Sequence, residues 1–225
     1  MSPKTLLACL LLTCTLSAQA ASPKPEQAAV ATAHPAATVA GLETLAQGGN
    51  AFDAAVAIAA ALAVAEPYGS GLGGGGFFLL RQAGDKPTYR FIDARERAPL
   101  AAGPDLYRRG GAVQRELSLN GPLAAAIPGL PAALAHLAER YGKLPLTDSL
   151  TPAIRLARDG VGIDRVYRER AEWRLEALKQ DPTSAAIFLD HERIPALYGL
   201  LRQPALARTL ERIAGDGHAG FTAVE

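Results

Sequence analysis

The chain has 225 residues, of which 49% are hydrophobic and 20% charged, with a formal net charge of +1. That length supports one substantial core or two small ones. Without a basic stripe or an acidic tail, the sequence gives no reason to expect nucleic acid or a charged membrane surface as a partner.

The first twenty residues have the order of an export signal. Lys4 is followed by an apolar run from Leu6 to Leu16, and then by the small-x-small sequence Ala18-Gln19-Ala20. The run is too short to span a bilayer as a mature helix, so residues 1–20 are expected to be a signal peptide cleaved after Ala20, leaving no membrane attachment. Both cysteines, Cys9 and Cys14, fall inside this leader. The remainder would then have no disulfide, no thiolate metal site and no cysteine nucleophile. Thr13 is a poor residue to precede a lipidated Cys14. Residues 21–27 read as a flexible tail, and 28–225 as one domain without internal repeats.

From residue 28 the pattern predicts a short inner strand over 28–32, although alanine forms strands weakly. A helix follows over 35–47, with Val39, Leu42, Leu45 and Ala46 on one face. Gly48-Gly49 ends it, and Asn50 caps the next helix with Asp53 in its first turn. That next helix, 51–65, is apolar almost all round, which marks it as buried in the core. It is also too short to cross a membrane.

Glu66-Pro67 stops the buried helix, and 68–76 is a glycine run. Gly69-Ser70-Gly71-Leu72-Gly73-Gly74 matches G-x-G-x-x-G in letters, but a dinucleotide site needs a strand before the glycines and a helix after them. Here that order is reversed. The run is better read as backbone that packs tightly or takes positive φ. Two strands, 77–81 and 87–92, form a hairpin through 83–86, and Asp93-Ala94-Arg95-Glu96-Arg97-Ala98-Pro99 leaves its end. Residues 106–120 are polar and partly irregular. Helices are then expected over 131–141, 147–158, 167–180 and 203–214.

Arg95 stands out among the polar residues. A guanidinium at a strand end can receive a carboxylate through two parallel hydrogen bonds, although on the residues alone an ion pair with Glu96, Asp93 or another surface acid is the plainer use for it. Other chemistries lack their residues. His34, His136, His191 and His218 do not have metal-ligand spacing, and no G-x-S-x-G elbow occurs. No cofactor or metal is expected.

Several spaced motifs, in one order, carry a resemblance. They are Ala31-Thr32-Ala33-His34-Pro35, Gly48-Gly49-Asn50-Ala51-Phe52-Asp53-Ala54-Ala55-Val56, Glu66-Pro67, Gly71-Leu72-Gly73-Gly74-Gly75 and Arg95-Glu96-Arg97-Ala98-Pro99. Ile127-Pro128-Gly129, Tyr141-Gly142-Lys143-Leu144-Pro145, Pro152-Ala153-Ile154 and Leu206-Ala207-Arg208-Thr209-Leu210 continue them. Together they resemble the gamma-glutamyltranspeptidase family from about Ala28 to Phe221. The resemblance implies an α+β, N-terminal-nucleophile hydrolase-like αββα sandwich, here incomplete because only the large-subunit portion is present. It also implies a precursor that cleaves itself to expose a small-subunit threonine. That threonine attacks γ-glutamyl amides such as glutathione, with its own α-amine as base, and the glutamyl group passes to water or to an amino-acid or peptide acceptor. The arginine of the family's R-E-x-A-P motif, which grips the substrate α-carboxylate, corresponds to Arg95.

The sequence also departs from the family. Neither the Thr-Thr-His nucleophile motif nor the later glycine pair of the oxyanion hole is present, and Thr222 stands where a tyrosine is expected after Phe221. The expectation is a fragment or truncated product that lacks the nucleophile, is inactive alone, and has the small-subunit portion as its missing partner. It should expose apolar surface that the other portion covers. A non-catalytic remnant that at most binds a ligand, or a β-lactam acylase or polyglutamate-processing member of the family, are the alternatives.

Overall fold

The computed structural model describes residues 28–223; the expected signal peptide and tail lie outside them. In chain order the elements are α1 (Pro35–Ala46), α2 (Ala51–Ala65), β1 (Phe77–Gln82), β2 (Thr88–Asp93), β3 (Arg108–Arg109), β4 (Ala112–Val113), α3 (Leu130–Tyr141), α4 (Leu146–Asp159), β5 (Val161–Gly162), α5 (Arg165–Gln180), α6 (Pro182–Phe188), β6 (Leu200–Leu201), α7 (Pro204–Asp216) and α8 (Ala219–Thr222). Among the described residues no helix is long and apolar enough to cross a membrane.

The core is built on α2. Val56, Ala57, Ala60, Ala61 and Val64 are fully buried, and the helix packs against α1, α3 and α4. Its start is fixed by a reciprocal cap. The Asn50 side-chain oxygen accepts from Phe52 N (2.8 Å) and Asp53 N (3.1 Å), while Asp53 accepts from Asn50 N at 2.7 Å. This satisfies backbone donors that the first helical turn cannot satisfy itself. At the other end, buried Gln203 donates to the Val64 carbonyl at 2.8 Å and ties α2 to the start of α7.

Asp53 does more than cap. It is fully buried, and it also accepts from Lys143 N (3.0 Å) and Leu144 N (3.3 Å), while Asn50 Nδ2 donates to the Tyr141 carbonyl at 2.7 Å. One Asn-Asp pair therefore holds the α3–α4 corner to the start of α2. The charge is tolerated in the interior because backbone N–H groups surround it.

Two expectations fail near the N-terminus. Residues 28–32 form no strand; this alanine-rich run pairs with no strand among the described residues. The buried face of α1 is Ala37, Ala40, Gly41 and Thr44, whereas Val39 and Leu42 are exposed. The period was right but the stripe was wrong. A Cβ at Gly41 would lie 2.7 Å from Ile58 Cδ1, so α1 meets α2 through its smallest residues, which let the helices come close.

β1 and β2 pair antiparallel, with Leu79 opposite Phe91 and Arg81 opposite Tyr89. Alternation divides the hairpin into two faces. Phe78, Leu80 and Ile92 turn to the helical core. Phe77, Leu79, Tyr89 and Phe91 are exposed, Leu79 to 76%, and the Phe77 and Phe91 rings stack with centroids 5.4 Å apart. The α+β class holds, and the sheets among the described residues are all two-stranded. Beyond α4, a second cluster of Ala65, Val161, Ile163, Tyr167, Ala171 and Leu201 seats α5. The four later helices expected from the sequence all form, with ends within two residues of expectation. Helix α6 and the β5–β6 pair are additions.

Candidate functional site

The hairpin does not stop at its last strand residues. Gly76 and Ala94 exchange backbone hydrogen bonds of 3.2 and 3.0 Å, which carries the ladder to the residue before Arg95. There the chain is held from two sides. A Cβ at Gly75 would overlap the Ala94 carbonyl oxygen and lie 2.8 Å from Arg95 Cα; one at Gly129 would overlap the same oxygen and lie 2.8 Å from the Arg95 carbonyl oxygen. Only glycine fits at either position while the Arg95 backbone stays where it is.

Backbone bonds lock these layers together. Gly129 N and Leu130 N both donate to the Gly74 carbonyl at 3.1 Å, and Arg97 exchanges hydrogen bonds of 3.0 and 2.8 Å with Ile127. The Arg95 N–H donates to Asp93 Oδ1 at 3.0 Å. Within the expected glycine run the close packing is at Gly75, whereas a Cβ at Gly73 or Gly76 would meet nothing within 4 Å. None of the glycines in 69–76 has positive φ.

The Arg95 side chain projects from this closely packed turn and is 56% exposed. Its Nε lies 3.2 Å from Glu96 Oε2, and its guanidinium carbon sits 5.9 Å from the Phe77 ring centroid. The ion pair with Glu96 exists, yet it uses only the Nε side of the fork. The two Nη nitrogens make no hydrogen bond among the described residues, which leaves the paired edge that suits a carboxylate. Arg95 and Glu96 line a cavity of about 490 Å³, whose floor is glycine backbone from 69 to 76 and whose apolar walls include Leu62, Phe78 and Leu130. Glycines give that floor a close backbone approach that side chains would block.

Of the polar residues singled out in the sequence, Arg95 and Glu96 line this cavity, and the four histidines do not. His34 caps α1 by accepting from Ala36 N (3.1 Å), with Nε2 3.9 Å from Asp164 Oδ2. His191 pairs with its neighbour Asp190. Among the described residues no group of three or more His, Cys, Asp or Glu side chains is placed to hold a metal. Sequence reasoning missed the clamp by Gly129. Its signal was the Pro128-Gly129 step before α3, which names a turn but not the distant strand end it touches.

The gamma-glutamyltranspeptidase family profile matches residues 37–222. The chain is 36% identical over 227 residues to a glutathione hydrolase proenzyme of Pseudomonas sp. (strain A14), covering 97% of this chain and 38% of that protein. It is 37% identical to the glutathione hydrolase proenzyme of Escherichia coli (strain K12), over 88% of this chain and 34% of that one. The fold is similar to the crystal structure of Helicobacter pylori gamma-glutamyltranspeptidase, with a TM-score of 0.82 and 34% identity over 88% of this chain and 57% of that chain. The chain thus spans little more than a third of the curated relatives.

Proposed function

The chain belongs to the gamma-glutamyltranspeptidase family, and from that premise we propose that residues 28–223 supply the carboxylate-binding side of an exported enzyme that cleaves γ-glutamyl amides such as glutathione. The observation that carries this reading is the open Nη edge of Arg95, held at a turn that Gly75 and Gly129 clamp on two sides. The substrate α-carboxylate docks on that edge. The clamped turn fixes where the side chain leaves the backbone, and the 3.2 Å contact of Nε with Glu96 Oε2 orients the guanidinium toward the incoming carboxylate.

The sequence contains no Thr-Thr-His run, so the nucleophile is assigned to polypeptide outside these 225 residues. These residues alone would bind the glutamyl head without cleaving it. With the nucleophile present, the glutamyl group passes to water or to an amino-acid or peptide acceptor. The leader-like order of residues 1–20 supports export. Arg95 also favours a γ-glutamyl substrate over an acyl chain without an α-carboxylate.

The test is Arg95→Ala in the complete precursor that contains these residues. Two charge-assisted hydrogen bonds at about 1.5–3 kcal/mol each are removed, so KM for a γ-glutamyl donor should rise about 100- to 10,000-fold. An unchanged KM overturns the assignment.

A further inference from the structure

Between Arg95 and α3 runs a long irregular stretch whose ends are closed by the Arg97–Ile127 pair, and most of 98–126 is exposed. It contains Asn120-Gly121, the only place in the sequence where an asparagine precedes a glycine. At such a step the side-chain amide can be lost to the chain's own backbone. The glycine nitrogen gives its proton to solvent and attacks the asparagine Cγ. A new N–C bond closes a five-membered ring, and the Cγ–Nδ2 bond breaks to release ammonia. Water then opens the ring at either carbonyl, its hydroxyl going to carbon and its proton to nitrogen. The product is aspartate or its β-linked isomer, formed with no change of oxidation state and no reagent besides water.

The step needs an accessible asparagine and a glycine N–H that is not already engaged. Asn120 and Gly121 are both exposed, and the Gly121 N–H makes no hydrogen bond among the described residues. A Cβ at Gly121 would meet nothing within 4 Å, so the space around the nitrogen is open. Two related steps, Asp159-Gly160 and Asp216-Gly217, are closed. Gly160 N donates to the Leu156 carbonyl at 3.0 Å and Gly217 N to the Ile213 carbonyl at 2.8 Å, which satisfies the ends of α4 and α7.

Asn50, the only other asparagine in the sequence, is locked in its cap. Its Oδ1 accepts from Phe52 N and Asp53 N while its Nδ2 donates to the Tyr141 carbonyl. Asn120 is restrained by two exposed contacts: Nδ2 donates to Glu116 Oε2 at 3.0 Å, and Oδ1 accepts from Arg174 Nη2 at 2.8 Å. The guanidinium also stands where negative charge develops on Oδ1 during the attack, which favours the reaction.

We propose that Asn120 is a self-modifying site, converted in the folded chain to aspartate or its β-linked isomer, and that the conversion alters how 98–126 is tied to α5. In the aspartate product a carboxylate replaces the neutral acceptor beside Arg174, which strengthens that bond. Glu116 loses its Nδ2 donor and gains a like charge in its place. The stretch is thereby held more firmly to α5. None of this depends on the γ-glutamyl reading.

The test follows both asparagines. The full chain is aged in heavy-oxygen water, folded or unfolded in urea, then digested in ordinary water and mapped by mass spectrometry, so that only conversion before digestion carries the label. Asn120 should gain one heavy oxygen and release one ammonia, at a folded rate within about tenfold of the unfolded one, while folding slows Asn50 by about 100-fold or more. Conversion should be faster in mildly alkaline than in mildly acidic buffer, because the attacking nitrogen must first lose its proton. Asn120→Gln, whose ring would need six members, should stay intact. A greater slowing at Asn120, or equal slowing at both asparagines, overturns the site. Hydrogen exchange reads the consequence: 98–126 should exchange more slowly in Asn120→Asp than in the parent, and Arg174→Met should remove that difference. Exchange that is unchanged or faster in Asn120→Asp overturns the altered tie to α5.

Discussion

The helix α2 and the β1–β2 hairpin are both rich in apolar side chains, but they are covered to different degrees. Around α2 most sides are covered, since α1, α3 and α4 pack on it and its capping pair is satisfied by hydrogen bonds; only a half-buried stripe that includes Ala59 and Leu62 faces the Arg95 cavity. The hairpin is covered on one face only. Phe78, Leu80 and Ile92 complete the helical core, while Phe77, Leu79, Tyr89 and Phe91 face solvent. The comparison separates what holds residues 28–223 together from what they offer to something else. An apolar sheet face in solvent is the mark of an interface, and Arg95 stands at the end of the hairpin, where the closed and the open regions meet.

The largest effect is expected where the two regions are joined. Gly129→Val puts a branched side chain into the Ala94 carbonyl, which is backbone and cannot rotate aside. The hairpin end must move off α3, at a cost of about 3 kcal/mol or more. Thermal unfolding should show it, and a melt within a degree of the parent would break the clamp argument.

Asp53→Ala probes the closed region alone. It leaves the N–H groups of Asn50, Lys143 and Leu144 without their acceptor, and about 2–4 kcal/mol should be lost in chemical denaturation. Hydrogen exchange should localise the loosening to the α3–α4 corner. A change confined to the hairpin would contradict that assignment.

The smallest effect on stability is expected on the open face. Leu79→Lys removes an exposed side chain, so the folded state should change by about 0.5 kcal/mol or less. Self-association, measured by sedimentation, should fall clearly. A large loss of stability would mean that the face is buried within these residues after all.

Both regions could be read from sequence, but not every element that packs on them. For α2, the asparagine cap, the acid three residues on and the all-round apolar pattern sit within one short stretch, so its place in the core was legible. The hairpin was legible too, because alternation and a Gly-Asp turn are local signals. The buried face of α1 was not, because Ala37, Ala40, Gly41 and Thr44 pack by being small, whereas a hydrophobic pattern looks for large residues. The second role of Asp53 was hidden for another reason: its partners Lys143 and Leu144 are far along the chain. Helix α6 could have been found, since Asp181 accepts from Ser184 N and Pro182 stands at its first turn, a local start signal. At the candidate site the residue type of Arg95 was informative, but the residues alone favoured an ion pair, and only the family resemblance turned the reading to a pocket. The structure shows the ion pair with Glu96 and an open Nη edge on the same guanidinium.

The most direct test of the account compares two donors in the complete enzyme that carries these residues. One is a γ-glutamyl anilide; the other is the matching 4-aminobutanoyl anilide, identical but for the α-carboxylate. If the Nη edge of Arg95 holds that carboxylate, the parent should prefer the first donor by about 100- to 10,000-fold in kcat/KM, and Arg95→Ala should abolish most of that preference. A preference that survives the substitution undiminished would place the carboxylate elsewhere and contradict the account.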